Sequence, residues 1–144
     1  MKIAIGGDHA GFEYKKQLIR FIEDSLEYAV HDFGPYSGES VDYPDFVHPL
    51  CTELVKGKFD FGIVICGSGN GVAITANKHC DVRAALCFNV EVANLARLHN
   101  DANICAIPAR FLPYEEVENI VETFICGTFE GGRHSVRVGK ISKF

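Results

Sequence analysis

Short apolar runs rich in β-branched residues alternate along the chain with longer stretches in which apolar residues recur at helical spacing. Each short run ends in glycine or a polar residue, which is typical of buried strands in βαβ units. The pattern predicts five strands, at residues 2–6, 28–33, 61–66, 83–86 and 104–107. We therefore expect an α/β fold in which helices cover a five-stranded parallel sheet.

The stretches between the strands predict helices that pack on the sheet through an apolar face. In the first helix this face comprises Phe12, Lys16, Ile19, Phe21 and Ile22, and in the fourth it comprises Val90, Ala93, Leu95 and Leu98. The turn-forming residues 34–41 should lead into a second helix, and a third should run from about 69–71 to 78. A fifth should begin after Pro113 and end near Gly127, and residues 131–137 predict a short closing helix.

Composition narrows the class of protein. The chain has 144 residues, 47% of them hydrophobic, which fits a single domain over residues 1–144. Its net charge of -5 is spread without long like-charge runs, so we expect no nucleic-acid partner. We also expect a cytoplasmic protein with no membrane partner, because the sequence shows neither a signal-like start nor a membrane-length apolar stretch. The six cysteines form no CxxC pair, which disfavours a zinc cluster or a disulfide framework.

In a parallel α/β sheet, ligands bind beyond the carboxyl ends of the strands, where the strand order reverses, which here points to the loops after strands 1 and 3. The first loop, Gly-Gly-Asp-His-Ala-Gly at residues 6–11, places Asp8 and His9 at a helix start, where anions bind. Asp8 could equally be a simple helix cap. Phe12 and Glu13 stand where a phosphate-binding Walker loop needs lysine and serine or threonine.

The loop after strand 3 reads Ile-Cys-Gly-Ser-Gly-Asn-Gly at residues 65–71. Such a loop can turn several N–H groups toward one oxyanion or phosphate. Val72 occupies the place where a dinucleotide-binding loop needs glycine or alanine. Cys66 would face a helix N-terminus, which favours a reactive thiolate, although a buried structural thiol is the alternative. No ligand lies at metal-binding spacing from Cys66, so we expect no metal.

Two further groups of residues could contribute to this site. His99 and Asn100 precede strand 5, in a loop that we expect at the same edge of the sheet. Arg110, Arg133 and Arg137 follow strand 5, and arginine suits two-pronged recognition of phosphate. As alternatives, His99 could only cap a helix end, and the i, i+4 pair Arg133 and Arg137 could be a solvated helix face.

Six motifs in this order resemble the ribose-5-phosphate isomerase B family, which shares its fold with the galactose-6-phosphate isomerase subunits. They are Gly-Gly-Asp-His-Ala-Gly at 6–11, Asp-Tyr-Pro-Asp at 42–45, Ile-Cys-Gly-Ser-Gly-Asn-Gly at 65–71, Ala-Asn-Lys at 76–78, Leu-His-Asn-Asp at 98–101 and Glu-Gly-Gly-Arg-His at 130–134. The resemblance covers nearly the whole chain. It implies a Rossmann-like three-layer α/β/α fold with a five-stranded parallel sheet and a C-terminal helix. It also implies a homodimer with active sites at the subunit interface and no cofactor, and it leaves dimer or tetramer open.

The resemblance further implies a role for each site residue. Cys66 would be the base, His99 would open the sugar ring, and Ser68 with the amides of Gly67, Gly69, Asn70 and Gly71 would stabilise an enediolate. Asp8, Tyr43 and Asn100 would hold sugar hydroxyls, and His9, Arg110, Arg133 and Arg137 would hold the phosphate. His99, Asn100 and Arg110 are expected to reach across from the partner subunit. Cys66 and Val72 fit the cysteine-base branch of the family better than the glutamate-base branch.

The predicted function is therefore the interconversion of ribose 5-phosphate and ribulose 5-phosphate in the pentose phosphate pathway. A six-carbon sugar phosphate, such as allose 6-phosphate or galactose 6-phosphate, is the first alternative. A flavodoxin-like module that binds a nucleotide or flavin is the second, and a redox protein that uses Cys66 is the third. The flavodoxin-like hypothesis gives no reason for Cys66, His99 and the arginines to surround one pocket. The redox hypothesis requires a resolving cysteine, and none lies near Cys66 in the sequence.

Overall fold

The computed structural model describes residues 1–142 and contains a five-stranded parallel sheet. The strands are β1 (Lys2–Gly7), β2 (Ala29–Asp32), β3 (Phe61–Cys66), β4 (Ala84–Leu86) and β5 (Ile104–Pro108). They lie in the order β2-β1-β3-β5-β4, with Ile5 beside Ile63 and Ile63 beside Cys105 at the centre. All five predicted strands are confirmed, and their predicted ends differ from the observed ends by at most one residue.

Helices connect the strands and close the chain. They are α1 (Phe12–Arg20), α2 (Pro44–Val55), α3 (Asn70–Ala76), α4 (Val90–Asn100), α5 (Tyr114–Cys126) and α6 (Arg133–Val138). A 3₁₀ turn (His9–Gly11) precedes α1, and a π-helical turn (Phe21–Ser25) extends it. The predicted start after Pro113 and the closing helix are confirmed. Among the helices of residues 1–142, none combines the length and the apolar character needed to cross a membrane.

Alternate residues of the central strands point to opposite faces of the sheet and build two separate cores. Ile63 and Ile65 pack with residues of α1, α4 and α5, whereas Val64 and Cys66 pack with residues of α2 and α3. The fold is therefore the three-layer α/β/α arrangement that the family resemblance implies. Cys66 belongs to the core on the α2 and α3 side.

The predicted packing faces of two helices are partly wrong. In α1 the buried face is formed by Lys15, Leu18 and the following Ile22, while Lys16 is exposed. The buried face includes a charged residue, Lys15, which forms an ion pair with Asp32. A prediction based only on the spacing of apolar residues therefore chose the adjacent face, which contains Lys16. In α4 the buried positions are Ala93, Ala96 and Arg97, whereas Val90 and Leu95 are exposed. Arg97 is buried because its guanidinium stacks over the rings of Phe61 and Phe124 and binds backbone carbonyls.

The strand order reverses between β1 and β3, as the sequence predicts. From β1 the chain moves outward to β2, and from β3 it moves outward in the opposite direction to β4 and then back to β5. Side chains that follow Gly7 and Cys66 therefore meet at the carboxyl edge of the sheet. The Asp8 amide donates to the carbonyl of Ile65 at 3.0 Å, which joins the two loops directly.

Candidate active site

Cys66 is the last residue of β3, and the loop that follows it folds back over its sulfur. The Gly69 amide donates a hydrogen bond of 3.1 Å to Cys66 Sγ. The residue is only 4% exposed, yet its sulfur faces this polar loop at the end of the strand. A sulfur that accepts a hydrogen bond from a loop N–H lies against a polar group and not only against apolar side chains. The location therefore fits a base better than a buried structural thiol.

The loop adopts this shape because Gly69 has a left-handed backbone, with φ of +72°. A Cβ at this position would also lie 2.4 Å from Cδ1 of Leu86, so both the conformation and the space require glycine. The Ser68 hydroxyl accepts a hydrogen bond of 3.3 Å from the Asn70 amide. Two amides of this loop thus already have partners within the loop, and the exposed Ser68 hydroxyl is held at its rim.

The loop after β1 brings Asp8 and His9 to the same edge. Asp8 Oδ1 accepts hydrogen bonds from the amides of Ala10 at 2.9 Å and Gly11 at 3.3 Å, so Asp8 does cap the turn. His9 Nδ1 accepts from the Val41 amide at 3.3 Å. The cap fixes the direction of the Asp8 carboxylate, and the His9 contact ties the first loop to the loop that follows β2.

The loop between β2 and α2 is held by a buried ion pair that the sequence pattern did not indicate. Lys15 is 1% exposed, and its Nζ donates to both carboxylate oxygens of Asp32 at 2.5 Å and to the Pro35 carbonyl at 2.8 Å. The Gly7 amide also donates to the Gly34 carbonyl at 3.1 Å. These contacts fix the start of the loop that carries Tyr43. The only sequence signal was a lysine that breaks an otherwise apolar stripe on α1.

Tyr43 and Arg110 complete the cluster at the carboxyl edge. A Cβ added to Gly71 would lie 2.5 Å from Cζ of the Tyr43 ring, so the ring packs directly on the backbone at the start of α3. A Cβ added to Gly67 would lie 3.1 Å from Cδ of Arg110. Arg110 therefore covers the loop of its own chain. Within one chain the turn after β5 ends beside the turn after β3, which gives no support to the expectation that Arg110 reaches across from a partner.

His99, Asn100, Arg133 and Arg137 form a second cluster, and the expectation that His99 and Asn100 share the edge of Cys66 within one chain is wrong. The helix α4 ends at Asn100, and the Asn103 carbonyl then accepts from the Gly62 amide at the start of β3. A helix that precedes a parallel strand must return to the amino edge of the sheet. Arg133 and Arg137 lie on α6, which packs on α4, and both are exposed.

Within the second cluster, His99 stacks on His134, a contact that spacing alone did not reveal. The ring centroids are 4.2 Å apart and the rings are nearly parallel, at 8°. Glu130 Oε2 lies 3.8 Å from His99 Nε2 and 3.4 Å from His134 Nε2. Burial lowers the pKa of His134, as do the positive charges of its neighbours, while Glu130 opposes this effect.

The three side chains His99, Glu130 and His134 have the chemistry of metal ligands, and their ligand atoms lie within 4.8 Å of one another. However, an imidazole binds a metal through a lone pair in the plane of its ring. Two stacked and nearly parallel rings cannot direct their lone pairs at one ion. The arrangement instead suits proton transfer at His99, with a carboxylate beside it.

The two clusters divide the predicted site residues between opposite edges of the sheet. The carboxyl edge holds Asp8, His9, Tyr43, Cys66, the 67–71 loop and Arg110, and the amino edge holds His99, Asn100, Arg133 and Arg137. The first cluster can abstract a proton and stabilise an oxyanion. The second can move a proton and bind an anion. A cavity of about 400 Å³ lined by Asn100, Arg83 and Lys78 adjoins the second cluster.

Known proteins are similar to this chain in sequence and fold over nearly their whole length. The chain matches the family Ribose/Galactose Isomerase over residues 3–141. It is 39% identical to ribose-5-phosphate isomerase B of Escherichia coli strain K12, over 98% of this chain and 94% of the relative. The solved structure of Clostridium thermocellum ribose-5-phosphate isomerase B superposes with a TM-score of 0.97 at 45% identity, covering 99% of this chain and 96% of that one.

The structure of ribose 5-phosphate isomerase RpiB from Thermotoga maritima is also similar, with a TM-score of 0.96 and 43% identity over 99% of this chain and 98% of that one. Both structures share the five-stranded α/β/α fold described above. At this identity and coverage the likeness extends beyond the fold. The chain belongs to the Ribose/Galactose Isomerase family.

Proposed function

We propose that this chain is an aldose-ketose isomerase that interconverts ribose 5-phosphate and ribulose 5-phosphate, with Cys66 as the base. The observation that carries the proposal is the Cys66 sulfur at the carboxyl end of the central strand, with the Gly69 amide aimed at it from 3.1 Å. Two relatives that match nearly their whole length are named ribose-5-phosphate isomerase B, which supports the same substrate. No comparison favours a flavin or nucleotide module.

In this proposal the active form of the protein is a homodimer. The clusters of Cys66 and His99 lie at opposite edges of the sheet in one chain, so a second subunit is needed to bring them together. A twofold axis perpendicular to the strands reverses their direction, so it sets the amino edge of one subunit beside the carboxyl edge of its partner. Exposed apolar side chains near the edge strand β4 could form such an interface. They are Ile74 on α3, Phe88, and Val90 and Leu95 on α4, which are 62%, 53%, 38% and 36% exposed.

The reaction begins with ring opening. The partner's His99 takes the proton from the anomeric hydroxyl and returns a proton to the ring oxygen as the bond between C1 and that oxygen breaks. The Cys66 thiolate then removes the proton from C2, the C1 carbonyl oxygen becomes negatively charged, and a planar enediolate forms. The proton of the C2 hydroxyl passes to O1, the C2 oxygen becomes the carbonyl as the same thiol protonates C1, and the product is the ketose. One base on one face of the enediolate is sufficient for both transfers.

Negative charge on O1 is stabilised by the loop over Cys66. The Gly69 and Asn70 amides already have acceptors in the loop, so the Ser68 hydroxyl and the remaining amides would face the enediolate. A well-placed donor of this kind contributes roughly 3 kcal/mol to transition-state stabilisation. Asp8, Tyr43 and the partner's Asn100 would hold the sugar hydroxyls.

The phosphate would lie between positive groups from both subunits. His9 and Arg110 lie at the carboxyl edge, and the partner's Arg133 and Arg137 would approach from α6. Exposed guanidiniums one helical turn apart can grip one phosphate with several hydrogen bonds. Binding energy from this remote end would orient the reacting carbons against Cys66.

The proposed substrate is tested by comparing kcat/KM for ribose 5-phosphate, allose 6-phosphate and galactose 6-phosphate with the same purified protein. We expect the highest value for ribose 5-phosphate. A higher value for either hexose phosphate would keep the isomerase chemistry and change the substrate. Failure to convert any of the three sugars would contradict the proposal itself.

A further inference from the structure

The carboxylate of Glu130 lies beside both of the stacked histidines in the second cluster, and none of the proposed steps uses it. Both Nε2 atoms lie near the same oxygen of Glu130, at 3.8 Å from His99 and 3.4 Å from His134. The His134 nitrogen is buried and has no hydrogen-bond partner in residues 1–142. The backbone reinforces the arrangement, because the Glu130 amide donates to the Leu98 carbonyl at 3.0 Å.

We propose that Glu130 and His134 are positioning residues that prepare His99 for ring opening, an inference that rests on the proposed function. Glu130 biases His99 toward the tautomer that carries its proton on Nε2, which leaves Nδ1 as the atom that accepts the anomeric proton. In an unliganded site such contacts are often long and shorten when substrate binds. The same carboxylate stabilises the imidazolium that His99 becomes while it holds the transferred proton.

His134 contributes the stacking surface and must stay neutral to do so. A second positive ring at 4.2 Å would oppose protonation of His99. Burial and the neighbouring Arg133 and Arg137 oppose protonation of His134, and Glu130 is the one group among the described neighbours of its ring that favours it. The proton balance is closed: one proton leaves O1 for Nδ1 of His99, and one proton passes from Nδ1 to the ring oxygen.

The chemistry of the substrate provides a specific test. Ribulose 5-phosphate cannot close a furanose ring, because its C5 oxygen carries the phosphate, so removal of its C1 proton by Cys66 needs no ring opening. Glu130→Gln keeps the shape of the side chain and removes its charge. Glu122→Gln on the exposed face of α5 is the matched control. Each variant is assayed for conversion of ribose 5-phosphate and, by proton NMR in D₂O, for exchange of the C1 hydrogen of ribulose 5-phosphate.

We expect Glu130→Gln to lower kcat/KM for ribose 5-phosphate by about tenfold or more. Exchange at C1 of ribulose 5-phosphate should stay within about twofold, and Glu122→Gln should change neither rate. Equal loss of both rates in Glu130→Gln, or loss of neither, would overturn the positioning role. If the unaltered protein shows neither isomerisation nor exchange, the proposed function fails instead, so the two failures are distinguishable.

Discussion

The Gly69 amide donates to Cys66 Sγ at 3.1 Å, so the shape of the loop fixes the surroundings of this sulfur. We predict that Cys66→Ala lowers kcat for ribose 5-phosphate by at least about a hundredfold, because no other group in the cluster is placed as the base. Far-ultraviolet circular dichroism and the thermal midpoint should change little. Cys80→Ala, at an exposed cysteine, is the control and should retain full activity. Near-normal turnover of Cys66→Ala would rule out this base.

The contact between Tyr43 and Gly71 predicts a second effect. In Gly71→Ala the new methyl group would fall 2.5 Å from the Tyr43 ring and push the ring away from the substrate. We expect kcat/KM to fall by about tenfold or more, since small displacements at a reacting centre have large effects. Gly38→Ala is the control, because its methyl group would meet only Phe12 at an ordinary 3.7 Å. Equal activity of both variants would show that Tyr43 does not position substrate.

The layered fold was predictable because each strand is a short β-branched run with clear ends. The loop around Cys66 was also predictable, since three alternating glycines leave few other arrangements. That His99 and Cys66 lie at opposite edges follows from the predicted parallel sheet, since His99 precedes a strand and Cys66 ends one, but the sequence motifs alone placed both at one site. The burial of Lys15 and the pairing of His134 with His99 depend on tertiary contacts, and the lysine within the apolar stripe of α1 is too weak a signal to predict its partner.

The separation of the two clusters predicts complementation between inactive subunits. In a mixed dimer of Cys66→Ala and His99→Asn chains, one site carries both substitutions and the other carries neither. When equal amounts of the two chains exchange subunits at random, about half of the dimers are mixed and each has one intact site of two. The mixture should therefore recover about a quarter of the activity of the unaltered protein. A mixture of Cys66→Ala and Ser68→Ala chains is the control. Both changes fall in the half of the site that one subunit supplies, so every site in this mixture carries one of them. If the first mixture restored no activity, the proposal that each site is built from two subunits would be contradicted.

The pair of Lys15 and Asp32 predicts a loss of stability rather than of chemistry. Lys15→Met keeps the apolar stem but leaves Asp32, which is 28% exposed, without its cation. We expect a decrease of about 1–3 kcal/mol in the free energy of unfolding, less than for a fully buried pair because water reaches Asp32. Lys16→Met is the control, since Lys16 is 49% exposed and should contribute less than about 1 kcal/mol. Urea denaturation measures both, and equal effects would contradict a structural role for the pair.

The lowered pKa of His134 predicts how stability depends on pH. The unfolded chain binds a proton at His134 near its ordinary pKa of 6.5, whereas the folded chain binds it only at lower pH. Lowering the pH through 6.5 therefore decreases the free energy of unfolding, because the unfolded chain takes up a proton that the folded chain does not. Above that pH His134 is neutral in both states and this loss is absent.

His134→Gln should flatten the fall in the free energy of unfolding between about pH 7.5 and 5.5, as measured by urea denaturation at each pH. Some slope should remain, because burial and the neighbouring His48 also lower the pKa of His79. His31→Gln is the control, because His31 is an exposed histidine on β2. It measures how far the loss of any one imidazole changes the pH dependence of the free energy of unfolding. Glu130→Gln should steepen the fall, because Glu130 is the neighbour that favours the protonated form of His134. An unchanged slope in His134→Gln would mean that the buried ring takes up its proton as readily in the folded chain as in the unfolded one.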